Sequence, residues 1–565
     1  MATRNTPDAQ QIPINVVGSS KFGRYPKISL EKTYNMFESD GWLVDFPAYA
    51  KILEMLSSGR EGRALYRSFR GNFLIGVVDS NVYRVNRGLT SPILIGALNS
   101  STGEVYIDEN LIEQLCLVDG LHAYIYHYSE PPNLTIQMNG PLGTGDLIPN
   151  YVTYHNSFFL FGNANKTTQG AAWYVYKENE ANLHQILLHD VLALQTKPDR
   201  ALAVKRIPGQ SANVLVLGGS VCEIHTQTGG ISSTGVPITY QRNSSFSSDY
   251  GCLAVSTIAE SDTHICWLGI NEGNAPSIMM FTGNTVERIS TDGIDYLLDS
   301  LFHPELSTAM MYRVDGHLFY HLTFYYIAED RPDLSDNLSL IYDIDNKKFF
   351  HISDQNLDFH PARQIVYFDN ELYFISIRNG AIYRFSTDLT FINEDIPDNI
   401  DSPNGIFETD PNLKYEMQRI RIPASIKFPT STPFTANQFV FTLEQGCDNI
   451  EGIQECLILM ITENDIRMFS EFGGPGNYGI QLVPERHGQE DCESTPYQPR
   501  IDLALSRDGA VTFGNYVARY LNPLGYRKNI LRWNKMGSAN DLTLKIRFWS
   551  LGRFVSNDGL LDVVA

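Results

Sequence analysis

Little in this sequence equips it for covalent or electrostatic capture of a partner. The seven cysteines (Cys116, Cys222, Cys252, Cys266, Cys447, Cys456 and Cys492) include no C-x-x-C pair, and their odd number and wide scatter exclude a disulfide framework. No apolar h-region occupies Met1–Asn15, and no stretch approaches the about 18 uninterrupted apolar residues of a membrane span. These absences predict a chain made and folded in a reducing cytosol, with no membrane-spanning segment. The sequons at Asn133 and Asn337 then carry no meaning. Charge is scarce at 19%, and 43 basic against 64 acidic residues leave a net charge of −21. Proteins that grip nucleic acid carry a basic footprint, so ordinary DNA binding is excluded. DNA sliding past a repulsive wall is not, although the same surplus also serves plain solubility.

What is present is apolar and aromatic. Hydrophobic residues make up 43% of 565, with 30 Tyr and 30 Phe, enough for a sizeable core in two or three domains or in one repetitive toroid. From about residue 70 the chain is a series of short apolar runs broken by turn residues. Phe73–Ile75 and Val82–Val85 flank Asp79-Ser80-Asn81; Val214–Leu217 and Val221–His225 flank Gly218-Gly219-Ser220; Leu372–Ile377 and Ile382–Phe385 flank Asn379-Gly380. The later units start near residues 213, 264, 317 and 371, an interval of roughly 50 that suits propeller blades, since one small sheet cannot bury both its faces. A run of unrelated hairpins in a sandwich is the competing reading.

The predicted fold is all-β: a β-propeller of roughly five to seven blades, a second sandwich-like β domain and an extended amino-terminal arm. Residues 1–28 read as the arm, 29–386 as the propeller, 387–416 as an acidic loop or linker interrupted by Pro397, Pro403 and Pro411, and 417–565 as the second β domain. Helix is expected only at Tyr49–Leu56 and Asp292–Leu301. Deleting residues 1–20 is expected to weaken assembly without affecting folding, because the arm lacks any sustained apolar period.

No catalytic constellation stands out. His317 and His321 have the i, i+4 spacing of a helical metal pair, but the stretch reads as a strand, and structural histidines are expected. Asp343-Ile344-Asp345-Asn346 lacks the glycine and glutamate of a calcium loop. Gly218-Gly219-Ser220 has no lysine or helix behind it, and Asn139–Gly145 reads as a loop. Ser506-Arg507-Asp508-Gly509 through Phe513 resembles the Asp-box turn of sialidase-type propellers, a structural device rather than a catalytic one. Catalytic, cofactor and metal residues are therefore all expected to be none.

Three stretches resemble the packaged-DNA stabilisation family, the tail hub or nozzle of short-tailed bacteriophages. They are Tyr34-Asn35-Met36 through Gly41 to Phe46-Pro47; Lys197-Pro198-Asp199 with Val214–Leu217, Gly219-Ser220 and Val221–Ile224; and Leu531-Arg532-Trp533 through Gly537 with Leu544–Arg547. The resemblance implies a virion protein assembled in the host cytoplasm into a homo-oligomeric ring, a hexamer. Its implied partners are the portal and adaptor proteins on one side and the tail needle, fibre or tailspike proteins on the other. Double-stranded DNA would pass through the channel without specific binding. Asp199 is expected to cap a turn. A receptor-binding propeller at the tail tip and a glycan hydrolase are the competing functions.

Overall fold

The computed structural model describes residues 9–23, 31–55, 61–89, 91–129, 137–139, 147–166, 168–231, 237–326, 336–389, 391–392, 415–428, 432–445, 459–461, 467–469, 500–522, 528–549 and 553–564. Two compact units emerge. One comprises Met1–Ala50, Phe349–Leu357 and Phe385–Ala565, the other Lys51–Lys348 and Asp358–Arg384.

The second unit is a β-propeller. Five blades follow one another as antiparallel meanders whose first strands are Gly62–Ser68, Tyr106–Glu109, Pro149–His155, Ala201–Arg206 and the pair Gly251–Cys252 and Ala259–Glu260. The sixth runs Ala362–Phe368, Glu371–Ser376, Ile382–Ser386. A further meander, Thr308–Val314, His317–Tyr326 and Asp336–Asp343, packs its first strand against both Ala259–Glu260 and Ala362–Phe368. The ring then closes where Ala362–Phe368 meets Gly62–Ser68. Each pair of neighbours buries its own apolar layer. Phe73, Ile75, Leu115 and Tyr126 fill one such layer, and Leu160, Trp173, Val214 and Val216 another. Second strands begin at Asn213, Ile265, His317 and Glu371, which explains the interval of about 50 in the sequence.

One expectation fails here. Tyr49–Leu56 is not helical: Ala48–Leu53 is the outer strand of the last blade, paired with Ile382–Ser386. Leu53 and Met55 enter the apolar layer with Ile375 and Ile382, so tertiary pairing overrides local propensity. Helix does form at Asp292–Asp299, where the Thr291 side chain accepts the Ile294 N–H as an N-cap.

The first unit is a β-sandwich. One sheet orders Ala9–Ile14, Gly559–Val564, Phe434–Gln445, Phe554–Ser556, Trp42–Asp45 and Met36–Ser39, with Lys528–Ala539 also paired to Phe434–Gln445. The other contains Lys32–Tyr34, Arg419–Ile422, Thr543–Trp549, Arg500–Ser506 and Val517–Tyr520. Inward-facing Phe439, Phe441, Trp533, Ile546, Phe548 and Phe554 share one core. The described part of the predicted arm is not extraneous. Ala9–Ile14 pairs antiparallel with Gly559–Val564, and Ile14 and Val16 are buried. Arg421, fully buried, donates to the carbonyl oxygens of Asn15 (3.1 Å), Val16 (2.9 Å) and Ser19 (3.0 Å) and pairs with Glu31 at 2.8 Å. Polar sequence in this segment reflects an edge strand held by one cation. Most of the acidic 387–416 segment and of the Asn139–Gly145 loop lies outside the described residues, as do Cys447, Cys456 and Cys492.

Candidate functional site

Propeller geometry brings the first strand of every blade to the axis, and here each of those strands carries charge or a tyrosine. Arg63, Asp108, Tyr151, Lys205, Arg206, Glu260, Arg313 and Arg363 all lie on first strands, with Glu61 and Glu104 just ahead of two of them. They form ion pairs across blades. Arg363, with a side chain at 0% exposure, pairs with Glu61 and lies 3.5 Å from Glu104. It also contacts the Tyr325 hydroxyl, with its guanidinium 5.3 Å from that ring. Glu260 takes Lys205 at 3.2 Å and Arg206 at 3.0 Å, and Lys205 donates to the Tyr151 hydroxyl at 3.0 Å. Asp108 accepts the Tyr154 N–H at 2.7 Å and the Thr153 hydroxyl at 3.3 Å. Arg63 is spent on the carbonyl oxygens of Asp79, Ser100, Thr102 and Gly103.

These groups separate electrostatically. Burial opposes ionisation of Glu260, but Lys205 and Arg206 together outweigh it and hold the carboxyl below its usual range. Burial raises Asp108, and it pushes Glu104 up to about 7 against the pull of Arg363. Arg363 Nε and Nη1 and Glu104 Oε1 are buried without a hydrogen-bond partner. Acids and bases on the first strands therefore largely pair with one another, and the surplus of −21 is not concentrated among them. No spacing rule singles these residues out. A signal exists nonetheless: one or two charged residues recur in the short strand ahead of most hairpins, as with Arg63, Asp108, Lys205, Glu260 and Arg363, the strand Pro149–His155 being an exception.

The residues singled out by sequence motif separate into two groups. In the sandwich, Asn35 sits buried at φ 56° and its side chain accepts the Ser353 N–H (2.8 Å) and donates to Ser353 Oγ (2.9 Å) and the Gln418 carbonyl (2.8 Å). Tyr34 stacks on His351 with ring centroids 4.5 Å apart, and Met36 enters the core. Gly41 takes φ 80° in the tight turn between Ser39 and Trp42. Phe46 packs on Phe37 and Phe385, and Pro47 is buried beside it. Trp533 donates to the Val517 carbonyl at 2.8 Å and packs on Phe439, and Gly537 turns the strand at φ 86°. In the propeller, exposed Pro198 precedes Asp199, whose carboxylate accepts the Ser220 N–H and, at 3.1 Å, the Ser220 hydroxyl. A Cβ at Gly218 or Gly219 would lie 2.9 Å from that carboxylate. Asp199 thus anchors the Gly-Gly-Ser turn.

The chemical candidates resolve similarly. His321 is buried between the Tyr312 hydroxyl (3.1 Å) and Thr323 (3.2 Å), and burial lowers it to about 3. His317 lies four residues along the same strand, roughly 13 Å away, too far for the pair to share an ion. The Asp508 carboxylate ties its turn by accepting from Ser506 Oγ (2.6 Å), Thr512 Oγ1 (2.6 Å) and the Thr512 N–H (3.0 Å). That turn follows a sandwich strand, Arg500–Ser506, rather than a propeller strand. Cys116, Cys222, Cys252 and Cys266 are free and buried, and burial raises each thiol. Among the described residues no helix is long and apolar enough to cross a membrane.

No curated protein matches the chain. Solved structures with a related arrangement include the WD40 domain of Neurospora crassa Pan2, at 9% identity, 57% of this chain, 89% of that one and a TM-score of 0.35. A chain of the mitotic checkpoint complex matches at 12% identity, 68% of this chain, 95% of that one and a TM-score of 0.33. Those values carry no functional argument. Residues 25–390, more than half of the chain, match the family model of phage stabilisation proteins described as bacteriophage P22 Gp10, β-propeller. With that match laid over a ring of blades and a paired axis, the chain belongs to the bacteriophage P22 Gp10 family of phage-stabilising β-propeller proteins.

Proposed function

We propose that this chain is a tail hub or nozzle subunit. Copies of it form a closed ring, a hexamer, that bridges the portal and adaptor proteins to the needle, fibre or tailspike of the distal tail. The ring retains packaged DNA and lines the path of its ejection. The observation that carries this reading is the family match across the propeller. The charge distribution supports it. Acids and bases pair at the propeller axis, so the excess of 64 acidic over 43 basic residues is carried elsewhere, where it repels a passing polyanion. DNA on this account runs between subunits and not through a propeller.

The fold suits a wall under internal pressure. Meander sheets pair their ladders internally, and the ring hides most strand edges, which limits unwanted strand addition. No catalytic step is part of the role. Particles assembled without this chain should package DNA and then lose it, and restoring the chain in trans should restore retention. Full retention without it would overturn the proposal.

A further inference from the structure

The turn edge of the Thr308–Asp343 meander gathers ligands that sequence spacing keeps apart. One ligand atom from each of His317, Asp343 and Asp345 lies within 4.8 Å of the others. His317 Nδ1 is 2.9 Å from Asp343 Oδ2, with the imidazole 15% and the carboxylate 0% exposed. Asp343 Oδ1 accepts the N–H groups of Asp345 (3.0 Å) and Asn346 (3.2 Å), Oδ2 also accepts Asn346 Nδ2 (2.9 Å), and Asp345 Oδ2 accepts the Leu318 N–H (3.0 Å). Those bonds fix the direction of both carboxylates, as the outer hydrogen bonds of metal sites do, and turn the remaining Asp343 lone pair toward His317 Nδ1. Among the described residues neither carboxylate pairs with a lysine or arginine, in contrast to Glu260, Glu61 and Glu31.

Asp345 is exposed, so an ion reaches the cluster without unfolding. We propose that His317, Asp343 and Asp345 form a binding site for a divalent first-row transition metal. One imidazole with two carboxylates matches zinc or manganese, whereas calcium takes six to eight oxygens. The ion would replace the shared His317–Asp343 hydrogen and tie two strands of the meander together at their turn edge.

The test uses the full chain after chelator treatment, with Zn2+, Mn2+ and Ca2+ added separately at about 10 μM and bound metal measured alongside thermal melting. The site predicts one equivalent of Zn2+ or Mn2+ per chain, a raised melting temperature, and no comparable gain with Ca2+. Asp345→Asn, at an exposed position where the amide oxygen still accepts the Leu318 N–H, should melt like the metal-free parent yet lose the equivalent. His317→Gln should lose it too. Failure of the parent to hold metal, equal retention by Asp345→Asn, or preference for Ca2+ would each overturn the assignment.

Discussion

The propeller and the sandwich are assembled from opposite kinds of contact. In the propeller, every described blade but the last is one continuous run of chain, and most non-local contact among the described residues lies between neighbouring blades and at the closing strand Ala48–Leu53. In the sandwich, beside local pairs such as Met36–Ser39 with Trp42–Asp45, much of the pairing is between segments far apart in the chain. Ala9–Ile14 pairs with Gly559–Val564, Trp42–Asp45 with Phe554–Ser556, and Lys32–Tyr34 with Arg419–Ile422. Both units bury arginine, but to different ends. Arg421 ties a strand-paired terminal segment into the sandwich through its carbonyls, whereas Arg363 joins segments that apolar layers already hold. Local repetition spreads stability over many similar layers; non-local assembly concentrates it at a few clasps.

That contrast is open to breaking, and the largest effect is expected at the clasp. Deleting residues 1–20 removes the edge strand and every carbonyl bound by Arg421, so the sandwich should lose its cooperative melt. This reverses the expectation drawn from polarity alone. Arg421→Met should cost about 2–4 kcal/mol by chemical denaturation, because the carbonyls of Asn15, Val16 and Ser19 lose their buried donor and Glu31 keeps only Lys21. A loss below 1 kcal/mol would show that the clasp is incidental.

In the propeller, Arg363→Met should cost less, about 2–3 kcal/mol, since the loss is shared by intact apolar layers. Smaller still is the effect at Glu104. Its folded-state pKa, raised to about 7 by burial, means the fold favours the protonated acid. The stability this supplies is fully present below its ordinary value near 4.5 and lost as pH rises through about 7. Glu104→Gln should therefore flatten the pH dependence of stability between pH 5 and 8, with a gain at pH 8 of about 1–2 kcal/mol. Unchanged pH dependence would place Glu104 in water. At the bottom of the scale, Asp199→Ala should cost about 1 kcal/mol, the turn at Ser220 being its whole role, with partial recovery in Asp199→Asn.

The same contrast explains what could be read from the sequence. Hairpins at Asn213–Ile231, Ile265–Phe281 and Glu371–Ser386 were legible because strand, short turn and strand follow one another in the chain. The blade at Tyr106–His127 was missed because Gln114–Val118 and Ala123–His127 are buried on both faces and show no alternation. Pairing between the two ends of the chain leaves no local trace, so Ala9–Ile14 read as an arm. The turn role of Asp199 was anticipated from its place beside a Gly-Ser turn. The axial ion pairs were not, because each blade contributes only one or two charges and their meeting is a property of the ring. His317 was weighed against His321 along one strand, while its partners Asp343 and Asp345 lie on the next.

The central claim is that this family member surrounds the DNA path as a ring whose acidic surface, and not its propeller axis, faces the duplex. A reconstruction of intact particles carrying the chain tests it most directly. The account predicts density for a closed ring of copies below the portal, with carboxylates lining the central passage and each propeller axis filled by side chains. Density placing the chain away from the tail axis, or a passage lined by lysine and arginine, would contradict it.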